Sequence, residues 1–279
     1  MKYRIILLTA IIAIIASCST KKQDQTDENR SVTLSSTQKN DTIIFKKSNG
    51  DTCNLQINIT ITYPASYGEK TTQLQNLYKA NVLNANDSLN IEEALKQYCD
   101  RVIEQYTPMA DEEDDETTIA TCDNDGRQHT DFLIVNINIT ASYNQMGIIT
   151  FCTEEAFTRN KVITSKVHSY NNLDLVNMTT IEASNIFRDD ALPDITKLLK
   201  NQLLAQNNVT NTDQLIEQGY FNIDNLKVTD NFSFGDKGIT WTYPPQELAI
   251  NALGEPCITL DYETLKDFAA SNSVLTRFE

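Results

Sequence analysis

Two stretches of strict period-two hydrophobicity constrain this chain more than any other feature. In the first, Leu55, Ile57, Ile59, Ile61 and Tyr63 alternate with Gln56, Asn58, Thr60 and Thr62. In the second, Leu133, Val135, Ile137, Ile139, Ala141 and Tyr143 share one face. Period two with polar partners demands a strand with one buried and one wet face. The tetrapeptide Ile-Asn-Ile-Thr occurs in both, at residues 57–60 and 137–140. It reads either as equivalent strands of two subdomains or as two strands meeting the same alternation rule, and the second reading is the simpler.

Local signals fill in the rest. Residues 42–46, the Ser48-Asn49-Gly50-Asp51 turn and the run from Leu55 predict a strand, a turn and a strand that Pro64 ends. A helix is predicted over residues 72–82. A stronger one comes next, opened by Asn90 with Glu93 three residues on, as in a capping box. Its apolar face carries Ile91, Ala94, Leu95, Tyr98, Cys99, Val102, Ile103 and Tyr106, and Pro108 is expected to stop it. Asn144-Gln145-Met146-Gly147 turns the second alternating strand into residues 148–153, and a further strand is expected near 162–170. Pro193 opens a helix bearing Ile195, Leu198, Leu199 and Leu203. A short helix around Leu215 ends at Gly219. Residues 226–234 and 239–243 read as a hairpin, 258–260 as a short strand, and Asp261 as the cap of a last helix. Strands that come as hairpins, with helices between the groups, predict an α+β fold. It has a mainly antiparallel sheet, helices packed on one face and two closely associated subdomains.

The N-terminus is not a fold element. Met1-Lys2-Tyr3-Arg4 is a short basic start, residues 5–16 are almost unbroken aliphatic, and Ile15-Ala16-Ser17-Cys18 ends in small residues before a cysteine. That order is an export signal, with an apolar run shorter than the roughly 20 residues of a membrane span. Its ending resembles the lipobox of bacterial lipoproteins. The resemblance implies cleavage before Cys18, a diacylglycerol and palmitate on that residue, and anchorage in the cell envelope, at an outer membrane and facing the periplasm. The expected division is a signal peptide over 1–17, a lipidated flexible tether over 18–40, an α+β subdomain over 41–128 and a C-terminal domain over 129–279.

Charge and composition narrow the chemistry. The formal charge is −15, and loss of Lys2 and Arg4 with the signal makes it −15 − 2 = −17. Such a protein repels nucleic acid and favours basic partners or cations. Beyond Cys18 five cysteines remain, Cys53, Cys99, Cys122, Cys152 and Cys257; the odd number leaves at least one thiol free or paired between chains. Cys99 lies in the helical stripe and is expected to be buried and inert. Eight glycines with no G-x-G exclude nucleotide loops, and G-x-S-x-G is absent. His129 and His168 are too far apart for a histidine-rich metal site and read as ordinary surface or strand residues. Residues 111–116 form an acidic run, and the calcium-loop pattern around Asp123-Asn124-Asp125-Gly126 fails at both ends, with Thr121 at the first ligand position and Phe132 at the last. No catalytic residue, metal ligand or cofactor is assigned. Trp241 and Tyr243 are candidate glycan-facing aromatics, weighed against a core role that large aromatics more often fill.

The C-terminal half resembles a known family. Asp230-Asn231-Phe232-Ser233-Phe234, Lys237-Gly238-Ile239-Thr240-Trp241, Tyr243-Pro244, Glu247-Leu248-Ala249 and Ile258-Thr259-Leu260-Asp261-Tyr262-Glu263-Thr264-Leu265 match the pattern of the RsiV-like domain of unknown function. That domain occurs at the C-terminus of anti-sigma-V factor and in the non-catalytic region of some peptidoglycan deacetylases. The Gly-Gly-Ala-His segment of many members has no counterpart at residues 155–170. Only four residues precede the apolar run, so an anti-sigma role is not expected. The resemblance implies a non-enzymatic envelope domain that binds a partner, either a lysozyme-like basic protein or cell-wall peptidoglycan. The alternatives are a carbohydrate-active enzyme using carboxylates and a structural lipoprotein. The resemblance extends to lipoproteins of the Bacteroides type, whose O-glycosylation sites Asp41-Thr42-Ile43 and Asp87-Ser88-Leu89 resemble. Metabolic labelling with radioactive palmitate is expected to mark the wild-type chain and leave the Cys18→Ser variant unlabelled; an unlabelled wild type would contradict the lipid anchor.

Overall fold

A computed structural model describes residues 32–46, 51–111 and 130–278. Residues 1–17, expected to be an export signal, Cys18, residues 19–31, the expected turn at 48–50, residues 112–116, Cys122, the 123–126 segment and His129 lie outside these. Among the described residues nine strands form two sheets. The first has six strands in sequential order: β1 (Thr33–Lys46), β2 (Thr52–Ser66), β3 (Thr130–Gln145), β4 (Ile148–Arg159), β5 (Val162–Asp174) and β6 (Thr179–Ile181). The second has three: β7 (Phe232–Phe234), β8 (Gly238–Thr242) and β9 (Cys257–Asp261). The described α-helices are α1 (Thr71–Asn81), α2 (Ile91–Asp111), α3 (Ala183–Ile186), α4 (Leu192–Gln206), α5 (Thr212–Glu217) and α6 (Tyr262–Leu265). The chain is thus α+β with a mainly antiparallel large sheet, as expected.

One pair breaks the antiparallel pattern. β2 and β3 run parallel, joined through α1 and α2, with Ile57 opposite Val135, Ile59 opposite Ile137 and Ile61 opposite Ile139. Hairpin signals are local and carried no hint of this crossover. The two Ile-Asn-Ile-Thr segments therefore lie on neighbouring strands of one sheet, two residues out of step. The break expected between residues 128 and 129 falls inside this sheet, since β3 to β6 complete what β1 and β2 begin.

Alternation sorts the side chains as predicted. Leu55, Ile57, Ile59, Ile61, Leu133, Val135 and Ile139 are fully buried, while Gln56, Thr60, Asn136 and Asn138 face water. Each such aliphatic side chain contributes about 1.5–3 kcal/mol of burial free energy. The helices that cover this face are α1, through Leu74 and Tyr78, and α2, through Ala94, Leu95, Cys99, Val102 and Tyr106. Helix α2 opens with the predicted capping box: Glu93 N donates to Asn90 Oδ1 at 2.9 Å, and Asn90 N donates to Glu93 Oε2 at 3.1 Å.

Three expectations fail for identifiable reasons. Residues 33–40 are not tether but the first half of β1, paired with β2 from Thr33 opposite Ser66 onward. An edge strand needs only backbone partners, so its few apolar residues did not betray it. Val32, just before it, is clamped by Asn144, whose Nδ2 donates to Val32 O at 3.2 Å. Pro64 does not end β2, because the ladder to β3 stops at Ile61 and the missing N–H costs nothing there. Pro108 does not end α2, which runs to Asp111. The carbonyl that Pro108 orphans belongs to exposed Glu104 and reaches water, while buried Ala110 holds the last turn against the core.

A second core surrounds β7–β9 and α4, with Ile186, Ile195, Leu199, Leu203, Phe232 and Ile258 fully buried. β7 is shorter than predicted: residues 226–231 have no strand partner, and pairing with β8 begins only at Phe232 opposite Trp241. A Cβ on Gly238 would meet Leu260 O at 2.0 Å, so the β8–β9 contact requires glycine. Asp261 caps α6 by accepting from Thr264 N at 2.7 Å, as expected. In the β3–β4 hairpin Met146 and Gly147 take φ of 53° and 67°, which suits a tight primed turn.

The C-terminus is tied to the large sheet by one buried ion pair. Asp174 accepts from Arg277 Nη2 at 3.0 and 2.8 Å, from Val176 N at 2.9 Å and from Asn177 Nδ2 at 2.8 Å. Burial pushes the Asp174 carboxyl up, but Arg277 and the amide donors outweigh it and hold it below the ordinary value. A depressed folded-state pKa stabilises above the unfolded value, about 3.9, and that stability is lost as pH falls through the folded value. Asp174→Ala is expected to cost about 3 kcal/mol at neutral pH, read as a fall in the urea midpoint. The difference from wild type should shrink below about pH 4.

Candidate functional site

The outward face of the large sheet is its unclaimed surface. β1, β2 and β3 contribute adjoining rows to it: Gln38–Thr60–Asn138, Asn40–Asn58–Asn136 and Thr42–Gln56–Ile134. At every outward position of residues 36–44, 54–62 and 132–140 the side chain is uncharged. Three carboxamides link across it. Gln56 Nε2 donates to Asn58 Oδ1 at 3.1 Å, and Asn58 Nδ2 donates to Asn136 Oδ1 at 2.9 Å. Beyond Asn136, toward the start of β3, Phe132 is 50% exposed; Ile44, in the same row across Asn54, is 44% exposed.

The opposite margin is charged. It begins on the strand next to β3, where Glu154 on β4 lies opposite Asn138 on one side and His168 of β5 on the other. His168 Nε2 faces Glu154 Oε2 at 3.1 Å, and its Nδ1 faces Glu255 Oε2 at 2.5 Å. Both ring nitrogens meet carboxylates, so the imidazolium form satisfies both contacts and a neutral tautomer only one. Lys166 Nζ sits 2.9 Å from Glu154 Oε2. The Lys166 ammonium, helped by His168, holds Glu154 below the ordinary carboxylate value against a smaller upward push from burial. Next to this cluster a cleft of about 430 Å³ runs between β5 and the loop before β9, lined by Ile163, Lys166, Pro244, Pro245, Gln246 and Asn251. The charged margin is also where the two sheets join. Asn231 acts as a miniature strand there. Its Oδ1 accepts from Tyr170 N at 3.0 Å, and its Nδ2 donates to His168 O at 3.1 Å and Thr242 O at 2.8 Å. Glu255 Oε1 accepts from His168 N at 2.8 Å.

The candidate aromatics are not on any surface. Trp241 and Tyr243 are both 0% exposed. Trp241 packs against Phe187 and Phe232, and Tyr243 donates its hydroxyl to Lys227 O at 2.8 Å. They belong to the second core, so the glycan-facing role fails for them. His168, read as ordinary, is the hub of the charged cluster. Its partner Glu255 is 87 residues away, and only the period-two spacing of Lys166 and His168 on one strand face hinted at it. Cys99 is buried as expected, its Sγ donating to Asp41 Oδ2 at 3.3 Å; burial first and then Asp41 push its thiol up to about 12. Cys152 is half-buried and Cys257 exposed. Thr42 and Ser88 are both exposed. Among the described residues no helix is long and apolar enough to cross a membrane, and no cluster of three or more His, Cys, Asp or Glu residues is arranged to hold a metal ion.

Residues 184–263 match the model of a family described as "Protein of unknown function (DUF3298)". The matched stretch spans the second sheet and most of the helices around it. No curated protein matches the chain. A crystal structure of a DUF3298 family member from Bacteroides fragilis NCTC 9343 is similar over 91% of this chain and 99% of its own, at 20% identity and a TM-score of 0.67. A DUF3298 family protein from Pseudomonas aeruginosa PAO1 is similar over 88% of this chain and 98% of its own, at 9% identity and a TM-score of 0.53.

Removing the Asn231 side chain leaves Tyr170 N, His168 O and Thr242 O without their partner. Asn231→Ala is expected to destabilise by about 2 kcal/mol, measured by urea unfolding; an unchanged midpoint would show that water replaces the side chain fully. The likenesses to solved structures show the fold over about nine-tenths of the chain, and residues 184–263 match the DUF3298 model.

Proposed function

We propose that this chain is a non-enzymatic cell-envelope lipoprotein, anchored through Cys18, whose open sheet face binds an extracytoplasmic partner, a lysozyme-like protein or a cell-wall glycan. The observation that carries the reading is the face itself: three adjacent strands of outward uncharged, mainly polar side chains with no described helix laid across them. Strands about 4.8 Å apart give a broad, flat surface, which suits a polymer or a protein better than a small molecule. The cluster beside it favours binding over hydrolysis. A general acid needs a carboxyl held up toward neutral pH, whereas Lys166 and His168 hold Glu154 down. The charge of −15 favours association with a basic protein.

The test is retention of the purified full-length chain, in mild detergent, on immobilised lysozyme and on insoluble peptidoglycan at low salt. Retention on at least one is expected, and it should weaken when Asn58 and Asn136 are both replaced by Ala. Retention on neither would remove both named partners.

A further inference from the structure

The outward face carries enough detail to name a ligand class. We infer that the face of β1–β3 takes an uncharged, acetamido-bearing oligosaccharide, held by the Gln56–Asn58–Asn136 ladder and stacked on Phe132. This assignment rests on the binding role proposed for that face.

Charge comes first. The chain holds 38 acidic and 23 basic residues, yet the outward positions across residues 36–44, 54–62 and 132–140 hold none of them. A ligand that covers this patch desolvates no ion on the protein and gains nothing from carrying one itself. A neutral ligand is the complement of these three strands, and the charged margin begins on the next strand, where Glu154 lies opposite Asn138.

Polarity comes second. A carboxamide offers both a donor and an acceptor. Within the ladder Gln56 donates to Asn58 and Asn58 donates to Asn136. These two bonds fix the orientation of all three side chains and leave Gln56 Oε1 as an outward acceptor and Asn136 Nδ2 as an outward donor. An acetamido group carries the matching N–H and C=O. Because the ladder is already ordered, the ligand does not have to freeze three flexible side chains.

Length comes third. Phe132 and Asn136 lie four residues apart on β3, a span of about 13 Å. One sugar ring cannot touch both, so an oligosaccharide is required. Phe132 is 50% exposed at the start of β3, and its ring offers an apolar platform for the C–H face of a sugar while the rows beyond it supply hydrogen bonds.

Isothermal titration of the full-length chain in mild detergent tests this with two probes: the β-1,4 tetramer of N-acetylglucosamine, and the β-1,4 tetramer of glucose, which differs in lacking the acetamido groups. The acetylated tetramer is expected to bind at least ten-fold more tightly. Asn136→Ala and Phe132→Ala, both at outward positions, should each weaken it at least ten-fold while leaving the thermal unfolding midpoint in place. Equal affinity for the two tetramers, or unchanged affinity in Asn136→Ala, would overturn the assignment. Absence of glycan binding alongside retention on lysozyme would overturn this inference and leave the broader binding role standing, whereas absence of both would remove the two together.

Discussion

Ten residue pairs, from Thr52 opposite Thr130 to Ile61 opposite Ile139, zip β2 to β3 in parallel. This pairing depends on two long alternating strands meeting in phase, because a slip of one residue would turn every buried isoleucine to water. It also dictates what lies above the sheet. A parallel pair cannot be closed by a tight turn, so the chain must cross over, and here the crossover carries α1 and α2. They cover the face that Leu55, Ile57, Ile59, Ile61 and their β3 neighbours make apolar, and no described helix covers the opposite face.

The bare face and the second sheet are then linked consequences. β4 and β5 extend the sheet to a margin where the free edge of β5 would otherwise expose His168 and Tyr170 backbone groups. Asn231 and Glu255 satisfy those groups from the second core, which docks the two sheets and gathers Glu154, Lys166 and His168 beside the joint. Asp174 and Arg277 secure the C-terminus at the other end of β5. The charged groups thus sit at a structural joint, and the uncharged rows of β1–β3 remain the open surface.

The sequence was legible wherever short-range physics decides the structure. The alternation of residues 55–63 and 133–143, the Asn90–Glu93 capping box, the turn at Met146-Gly147 and the Asp261 cap all depend on neighbours within a few positions. Features that depend on distant partners were hidden. β1 is polar along residues 33–40 and is a strand only because β2 offers it a backbone ladder. The β2–β3 pairing is separated by the whole α1–α2 crossover, and the His168–Glu255 contact by 87 residues. Trp241 and Tyr243 have the residue types of a sugar platform, yet the second core needs their volume. Phe132, which is exposed, looked like the end of a failed calcium loop.

Native-state hydrogen exchange shows whether the β2–β3 pairing is the keystone, since amides at the keystone of a structure open only when the whole molecule unfolds. The slowest amides of the chain are expected at residues 55–61 and 133–139, with an opening free energy equal to the global unfolding value. Faster exchange there than in β8, through local opening that leaves the second sheet protected, would contradict it.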